Sequence, residues 1–203
     1  MQPVDGTPES TAPTAGRPDR QSVLASTWAN QLKGQTARAR ALTATLNTER
    51  LLWRPPGGGW GAGHVLEHLV VTADNYLPTV RRLATEGPTA NDAANVRWKG
   101  TLGGRFLVHA LKAPRKLPAP RVFQVSEPRP QVVEAFVGRQ DEIGRLLAQS
   151  TERHWKKCRL ASPASGLIRL NLGDVFCIIV AHNHRHLLQL ERVLRHTGFP
   201  NDF

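Results

Sequence analysis

Residues 181–190 of the 203-residue chain read AHNHRHLLQL, and this stretch organises the rest of the sequence. Positions 179, 182, 186, 190 and 193 follow one another at three- and four-residue steps, the spacing of one face of an α-helix. Apolar side chains occupy both ends of this line, and His182 and His186 occupy its middle. Imidazoles on a core-facing stripe cost free energy unless a partner inside the protein satisfies their nitrogens. A buried cation is the simplest such partner, and His184 should face away from it.

Helical periodicity recurs in other parts of the chain and predicts an all-α protein. We expect helices over residues 22–47, from Trp60 to the region of Leu83, over residues 130–150 and over residues 172–197. The second of these contains Pro78, but its apolar line continues beyond the proline, so we expect a bend there and not an end. Four such helices joined by one long crossover make a four-helix bundle.

The predicted domain boundaries follow from composition. Residues 1–20 are rich in Pro, Thr and Gly and have no apolar period, which predicts a disordered tail. The bundle domain should then occupy residues 21–203, with the long crossover at residues 87–130, between its second and third helices. A short helix is expected at residues 105–111 of that crossover. Residues 151–170 are interpreted as a plain connection, because Ser162-Pro163 and Ser165-Gly166 are turn signals.

A tryptophan lies at each end of the turn-rich connection before the second helix. Residues 53–60 read WRPPGGGW, a density of Pro and Gly that stops a helix. We expect Trp53 and Trp60 to close the end of the bundle. Two cysteines, Cys158 and Cys177, are too few and too far apart for a disulfide framework.

The net charge of the chain does not by itself identify a partner. Its net charge is +11, with 27 Lys and Arg against 16 Asp and Glu, which suits a nucleic-acid or other acidic partner. Basic residues concentrate locally in one segment, residues 97–121, which includes Arg97, Arg115 and Lys116. No helix-turn-helix or zinc-finger spacing accompanies them, so a nucleic-acid partner is not expected.

The hydropathy of the sequence predicts no membrane-spanning segment. The longest useful apolar run is residues 175–181, far short of the roughly 20 residues that a membrane span requires. The N-terminal segment also lacks the basic and then apolar pattern of a secretion signal. We therefore expect a cytoplasmic protein without a membrane partner.

A durable metal site needs a third ligand, and the second predicted helix supplies it. Residues 63–69 read GHVLEHL, and His68 stands beside the inward apolar line of this helix. Three neutral imidazoles leave one coordination position open, as in catalytic zinc sites. Zn²⁺ in such a site lowers the pKa of bound water to about 7. His64 is the rival ligand, because it lies four residues before His68 on the same face.

The sequence does not fix the identity of the metal ion or the roles of the residues around it. We expect a divalent ion, Zn or Ni first, with Fe, Mn and Cu as alternatives, because imidazole suits several of them. Gln189 and Asn183 can either orient the ligands or belong to the helix surface. Glu67 is interpreted as a surface residue and Tyr76 as a core residue.

These motifs together resemble those of the DinB-like superfamily of metal-dependent four-helix-bundle proteins. The resemblance covers roughly residues 22–200. It is carried by Trp60 followed by VLEHL at residues 65–69, by AHNHRHLLQLER at residues 181–192, and by residues 112–114 and 198–200. It implies that His68, His182 and His186 bind the metal. Gly61 departs from the family pattern, in which Ser usually caps the second helix.

The resemblance implies a function as well as a fold. Characterised members of the superfamily include thiol-dependent transferases and isomerases, which implies a small-molecule substrate and a low-molecular-weight thiol. A metal-dependent hydrolase or thiol transferase is therefore the first hypothesis, with no residue identified as the general base.

Two non-catalytic functions are the alternatives. The first is a basic module that binds nucleic acid or an acidic partner through residues 97–121. The second is a structural bundle stabilised by a closed metal site and self-associating, for example as a homodimer.

Overall fold

The described residues of the computed structural model are 20–90, 98–113 and 119–200. The predicted disordered tail lies outside these ranges except for Arg20, at which the first helix begins. Arg97, Arg115 and Lys116 of the predicted basic segment also lie outside them.

Most of the described chain is helical. Its elements, in order, are α1 (Arg20–Thr43), α2 (Thr48–Leu52), α3 (Ala62–Glu86), α4 (Leu102–Lys112), α5 (Val132–Gln149), β1 (Arg159–Ser162), β2 (Ser165–Asn171) and α6 (Leu172–Leu194). Single 3-10 turns lie at Arg121–Phe123 and at Ser150–Glu152. The four long helices match the four predicted ones within a few residues, and α3 continues through Pro78 as expected. None of the described helices combines the length and the apolar character needed to cross a lipid bilayer.

The four long helices pack around a shared core. Helix α1 packs against both α5 and α6, and α3 packs against the same two helices. The core between them divides into two apolar clusters. One contains the side chains of Trp28 and Trp155, whose rings stack with centroids 5.6 Å apart. The other contains Leu66, Phe136 and Leu187, all fully buried.

The all-α prediction is wrong for residues 159–171. There β1 and β2 form an antiparallel hairpin in place of the predicted plain connection. A strand of four residues is too short to show a clear period in the sequence, and the turn signals at residues 162–166 mark the hairpin turn. Helix α2 was not predicted either. Asn47 caps it by accepting a hydrogen bond from the backbone N–H of Arg50, 2.9 Å away.

The start of α3 depends on glycines, some for their positive φ values and one for a close backbone contact. Gly57, Gly58 and Gly59 all have positive φ values, between 87° and 123°, which favour glycine. Gly61 is the N-cap of α3, and a Cβ placed on it would lie 1.8 Å from the carbonyl oxygen of Trp53. This close approach of the backbone explains why Gly stands where Ser is usual in the resembling family. The turn returns Trp60 towards the histidines.

A capping box begins α6 and also anchors α4. The side chain of Asn171 accepts a hydrogen bond from the backbone N–H of Asp174, and the Asp174 carboxylate accepts one from the backbone N–H of Asn171, each 2.9 Å long. The same carboxylate accepts a 2.7 Å hydrogen bond from the hydroxyl of Thr101, the N-cap of α4. Helix α4, which the sequence predicted only as a short piece, is thereby held against α6.

Candidate metal centre

Three histidines from two helices meet in the middle of the molecule. His68 projects from α3, and His182 and His186 project from consecutive turns of α6. The Nε2 atoms of His68 and His182 lie 3.1 Å apart, and one ring nitrogen from each of the three residues lies within 4.8 Å of the others. The helices bring these rings together because their apolar neighbours pack face to face across the α3–α6 interface.

The outer nitrogens of two of these rings are occupied by hydrogen bonds. Nδ1 of His68 lies 2.8 Å from the carbonyl oxygen of Phe123, to which only a protonated Nδ1 can donate. Nδ1 of His186 likewise lies 2.9 Å from Oε1 of Gln189. A proton on Nδ1 leaves Nε2 as a lone-pair donor, so both rings have the tautomer that ligates through Nε2. Gln189 is thus an orienting residue, one of its two predicted roles.

All three imidazoles are neutral at neutral pH. Burial lowers the pKa of His68, with the hydrogen bond to Phe123 acting in the opposite direction. Burial also lowers the pKa of His182 well below its usual value, and the repulsion that a protonated His182 would meet from protonated His186 and His68 and from Arg185 acts in the same direction. For His186, burial is again the main cause, and the pKa is about 3. Neutral imidazole is the form that binds metal ions.

The geometry of the cluster fits a small divalent cation. In a tetrahedral zinc site with Zn–N distances of about 2.0–2.1 Å, two ligand nitrogens lie roughly 3.3 Å apart. The Nε2 atoms of His68 and His182, 3.1 Å apart, have nearly this spacing. If Nε2 of His182 carries a proton, it can donate that proton to Nε2 of His68; if both nitrogens are unprotonated, a shared cation is the partner that stabilises them. The three residues form a cluster that can hold a metal ion.

A large cavity opens beside the cluster. Its volume is about 820 Å³, within the range of small-molecule sites, and all three histidines line it. Most of its wall is apolar, and the indole of Trp60 forms part of it, 4.6 Å from the ring of His68 between centroids. The expected role of Trp60 as an end closure is therefore incomplete. Trp53 does pack at the molecule's end, with its ring 5.2 Å from that of Phe199.

Several other sequence predictions can be compared with the structure. His64 is fully buried but lies outside the three-histidine cluster, with Nε2 3.7 Å from a carboxylate oxygen of Glu127. His184 is exposed, as expected, and Tyr76 is buried but also lines the cavity. Asn183 hydrogen-bonds Gln140, not a ligand histidine.

The interpretation of Glu67 as a surface residue is wrong. Its side chain is 7% exposed, and Arg129 donates to it from its backbone N–H and from its guanidinium, at distances between 2.7 and 3.1 Å. Helical periodicity places Glu67 next to the inward face, and the chain before α5 covers it. No sequence signal indicated this pairing, because Arg129 lies 62 positions away in an irregular segment.

Comparison with known proteins adds one finding. A family model described as the DinB superfamily matches residues 31–190, well over half of the chain, and the match includes all three histidines. No curated protein matches the chain. No solved structure matches it either.

Proposed function

The chain belongs to the DinB superfamily, and from this premise we propose that it is a metal-dependent enzyme acting on a small molecule at the three-histidine site. The observation that carries the proposal is the convergence of the Nε2 atoms of His68 and His182, 3.1 Å apart, beside a cavity of about 820 Å³. A purely structural metal site would be closed by protein, whereas this one faces a space large enough for a substrate.

The proposal assigns metal binding to the three histidines and ring orientation to their hydrogen-bond partners. His68, His182 and His186 are the metal ligands, in a four-helix-bundle domain over residues 21–203. The Phe123 carbonyl and Gln189 hold two of the rings in the ligating tautomer. Zn²⁺ or Ni²⁺ is the preferred ion, which would supply the Lewis acidity that lowers the pKa of a water molecule or a thiol.

The reaction class is hydrolysis or transfer to a thiol. The cavity wall is mostly apolar, which lowers the local dielectric constant and strengthens electrostatic interactions near the histidines. The residues lining the cavity in the described part of the chain include no Asp or Glu, so proton transfer has no carboxylate base there. An enzyme that lowers the pKa of its nucleophile has less need of such a base.

The first experiment is a metal analysis of purified protein, loaded with zinc and desalted. Plasma mass spectrometry should give close to one zinc per chain for the wild type and for His184→Ala, whose side chain is exposed on the same helix. His186→Ala should lose the ion. A wild-type protein that retains no metal after loading would overturn the proposal.

A second measurement separates an enzyme from a structural metal site. In Co²⁺-substituted protein, azide and a small thiol should change the visible absorption spectrum, because an open position accepts them. Screens for thiol transfer and for hydrolysis would follow. A spectrum that neither reagent changes would contradict the catalytic part of the proposal and leave only the metal site.

A further inference from the structure

The cavity beside the histidines has two chemically different ends. Helix α6 runs along its wall, and its lining residues include Ile178, His182, His186 and Arg192. A helix rises about 1.5 Å per residue, so Arg192 lies about 9 Å along the axis beyond His186. In the opposite direction, Ile178 lies about 6 Å before His182.

The end near Ile178 is apolar. Beside Ile178 the cavity is lined by Leu107, Leu111 and Ala164, which come from α4 and from the hairpin turn. These side chains pack against the larger apolar cluster of the core. Such a surface favours a hydrocarbon part of a ligand, at about 25 cal/mol per Å² buried.

The opposite end of the cavity, along α6, is lined by Arg192. Arg185 also lines the cavity, but its NH1 donates to the carbonyl oxygens of Leu111 and Ala113, at 2.9 and 2.6 Å, so its guanidinium is held on the α4 side. Among the described residues that line the cavity there is no carboxylate beside Arg192. An anionic group of a ligand is the complementary partner.

One polar atom between the two ends has no partner. Thr72, one turn after His68 on α3, lines the cavity and is 5% exposed, and its hydroxyl makes no hydrogen bond with any described residue. A buried hydroxyl without a partner is costly, so its presence beside the site points to a polar atom supplied by a ligand.

We propose that the substrate of this site is an amphipathic organic acid with three parts: an apolar tail at the Ile178 end, a carbonyl group beside the histidines and Thr72, and a carboxylate that Arg192 binds at the opposite end. This inference rests on the proposed function for the identity of the site and extends it to the class of substrate. The backbone positions of His186 and Arg192 differ by about 9 Å along the α6 axis, so the test ligand has several bonds between its carbonyl and its carboxylate.

The test compares two matched ligands. N-hexanoyl-4-aminobutyrate has an apolar acyl chain, an amide carbonyl and a carboxylate, and its primary carboxamide analogue differs only in lacking the negative charge. Calorimetric titration of zinc-loaded protein should show the carboxylate binding roughly tenfold more tightly than the carboxamide, the size expected for a hydrogen bond to a charged group.

Two matched variants identify the residue responsible. Arg192→Gln should abolish the preference for the carboxylate. Arg195→Gln is the control, because Arg195 is an exposed arginine at the same end of α6 that does not line the cavity. No preference in the wild type would overturn the inference, and so would a preference that survives Arg192→Gln.

The same titrations distinguish this inference from the proposed function. If zinc binds in stoichiometric amounts but the two ligands bind alike, the substrate class is wrong and the metal site stands. If the protein takes up no zinc yet shows a preference that depends on Arg192, the cavity binds organic acids and the metal proposal fails. A preference that chelation removes and Arg192→Gln leaves intact would mean that the carboxylate binds the metal, which overturns the assignment to Arg192.

Discussion

The Nδ1 atom of His68 lies 2.8 Å from the carbonyl oxygen of Phe123, 55 positions later in the chain. Phe123 ends the 3-10 turn Arg121–Phe123, within the long crossover between α3 and α5. The crossover therefore supplies an acceptor that fixes the tautomer of a candidate metal ligand. The same crossover contains Arg129, whose guanidinium binds Glu67, the neighbour of His68 on α3.

Of the two histidines of α3, only His68 should affect the metal content when it is replaced. His68→Gln should remove most of the bound zinc, because it takes away one of the three converging nitrogens. His64→Gln should retain close to one zinc per chain, since His64 lies outside the cluster. Metal analysis of the two purified variants decides the point. Loss of zinc from the His64 variant, with circular dichroism showing an intact fold, would identify His64 as a ligand.

Removal of the acceptor on His186 should weaken metal binding without removing a ligand. Gln189→Leu keeps the approximate size of the side chain but deletes the oxygen 2.9 Å from Nδ1 of His186. Loss of such an orienting partner typically costs 10- to 100-fold in metal affinity, so we expect a decrease of at least about tenfold. Zinc affinity is measured by competition with a chromogenic chelator. Gln189→Glu keeps an acceptor and should bind zinc at least as tightly as the wild type; equal affinities in all three proteins would contradict the orienting role.

The unpaired hydroxyl of Thr72 should contribute nothing to the stability of the ligand-free protein. Thr72→Val is nearly isosteric and removes a buried group that has no hydrogen-bond partner among the described residues. We expect the free energy of unfolding to stay the same or to rise by about 1 kcal/mol. Urea denaturation gives this quantity directly. A loss of more than about 1 kcal/mol would show that the hydroxyl is already satisfied inside the protein.

Acid should destabilise the metal-free protein through its buried imidazoles. The pKa of His186 is lowered to about 3 in the folded state, mainly by burial, whereas in the unfolded chain it is about 6.5. Below pH 6.5 the unfolded chain therefore binds a proton that the folded protein does not, and stability falls as the pH decreases towards 3. For this one site the loss at pH 5 is about 2 kcal/mol.

Urea denaturation at pH 7.5 and pH 5, in the presence of a chelator, measures this effect. His186→Gln should lose less stability between the two pH values than the wild type, by up to about 2 kcal/mol. His184→Gln, altered at an exposed position of the same helix, should behave like the wild type. The prediction is wrong if His186→Gln and the wild type lose stability equally.

The pairing of Glu67 with Arg129 should show an asymmetric response to mutation. Arg129→Met leaves the Glu67 carboxylate, whose side chain is 7% exposed, without its guanidinium partner. Glu67→Gln instead leaves a guanidinium whose side chain is 38% exposed and which water can solvate. We expect Arg129→Met to cost about 2 kcal/mol or more of unfolding free energy and Glu67→Gln only about 1 kcal/mol. Urea denaturation measures both, and the reverse order would contradict the assigned burial of the carboxylate.

Local patterns were sufficient to predict the four long helices. Val175, Ile179 and Leu190 mark the buried face of α6 in the sequence, and they are buried in the structure. The prediction failed at β1, where four residues provide no measurable period, and at α2, whose five residues form barely more than one turn. Short elements depend on neighbouring structure for their stability, so their own sequence carries little signal.

The sequence by itself determined that His182 and His186 share one face of a helix, because spacing along a single helix is a local property. It also gave His68 as the third member of the group, with His64 as its rival, and the α3–α6 packing brings His68 and not His64 into the cluster. Tertiary structure alone also decided that the Phe123 carbonyl, the Glu67–Arg129 pair and the two-ended cavity surround the site. Those contacts join residues dozens of positions apart through irregular chain, where no helical or strand period relates one position to another.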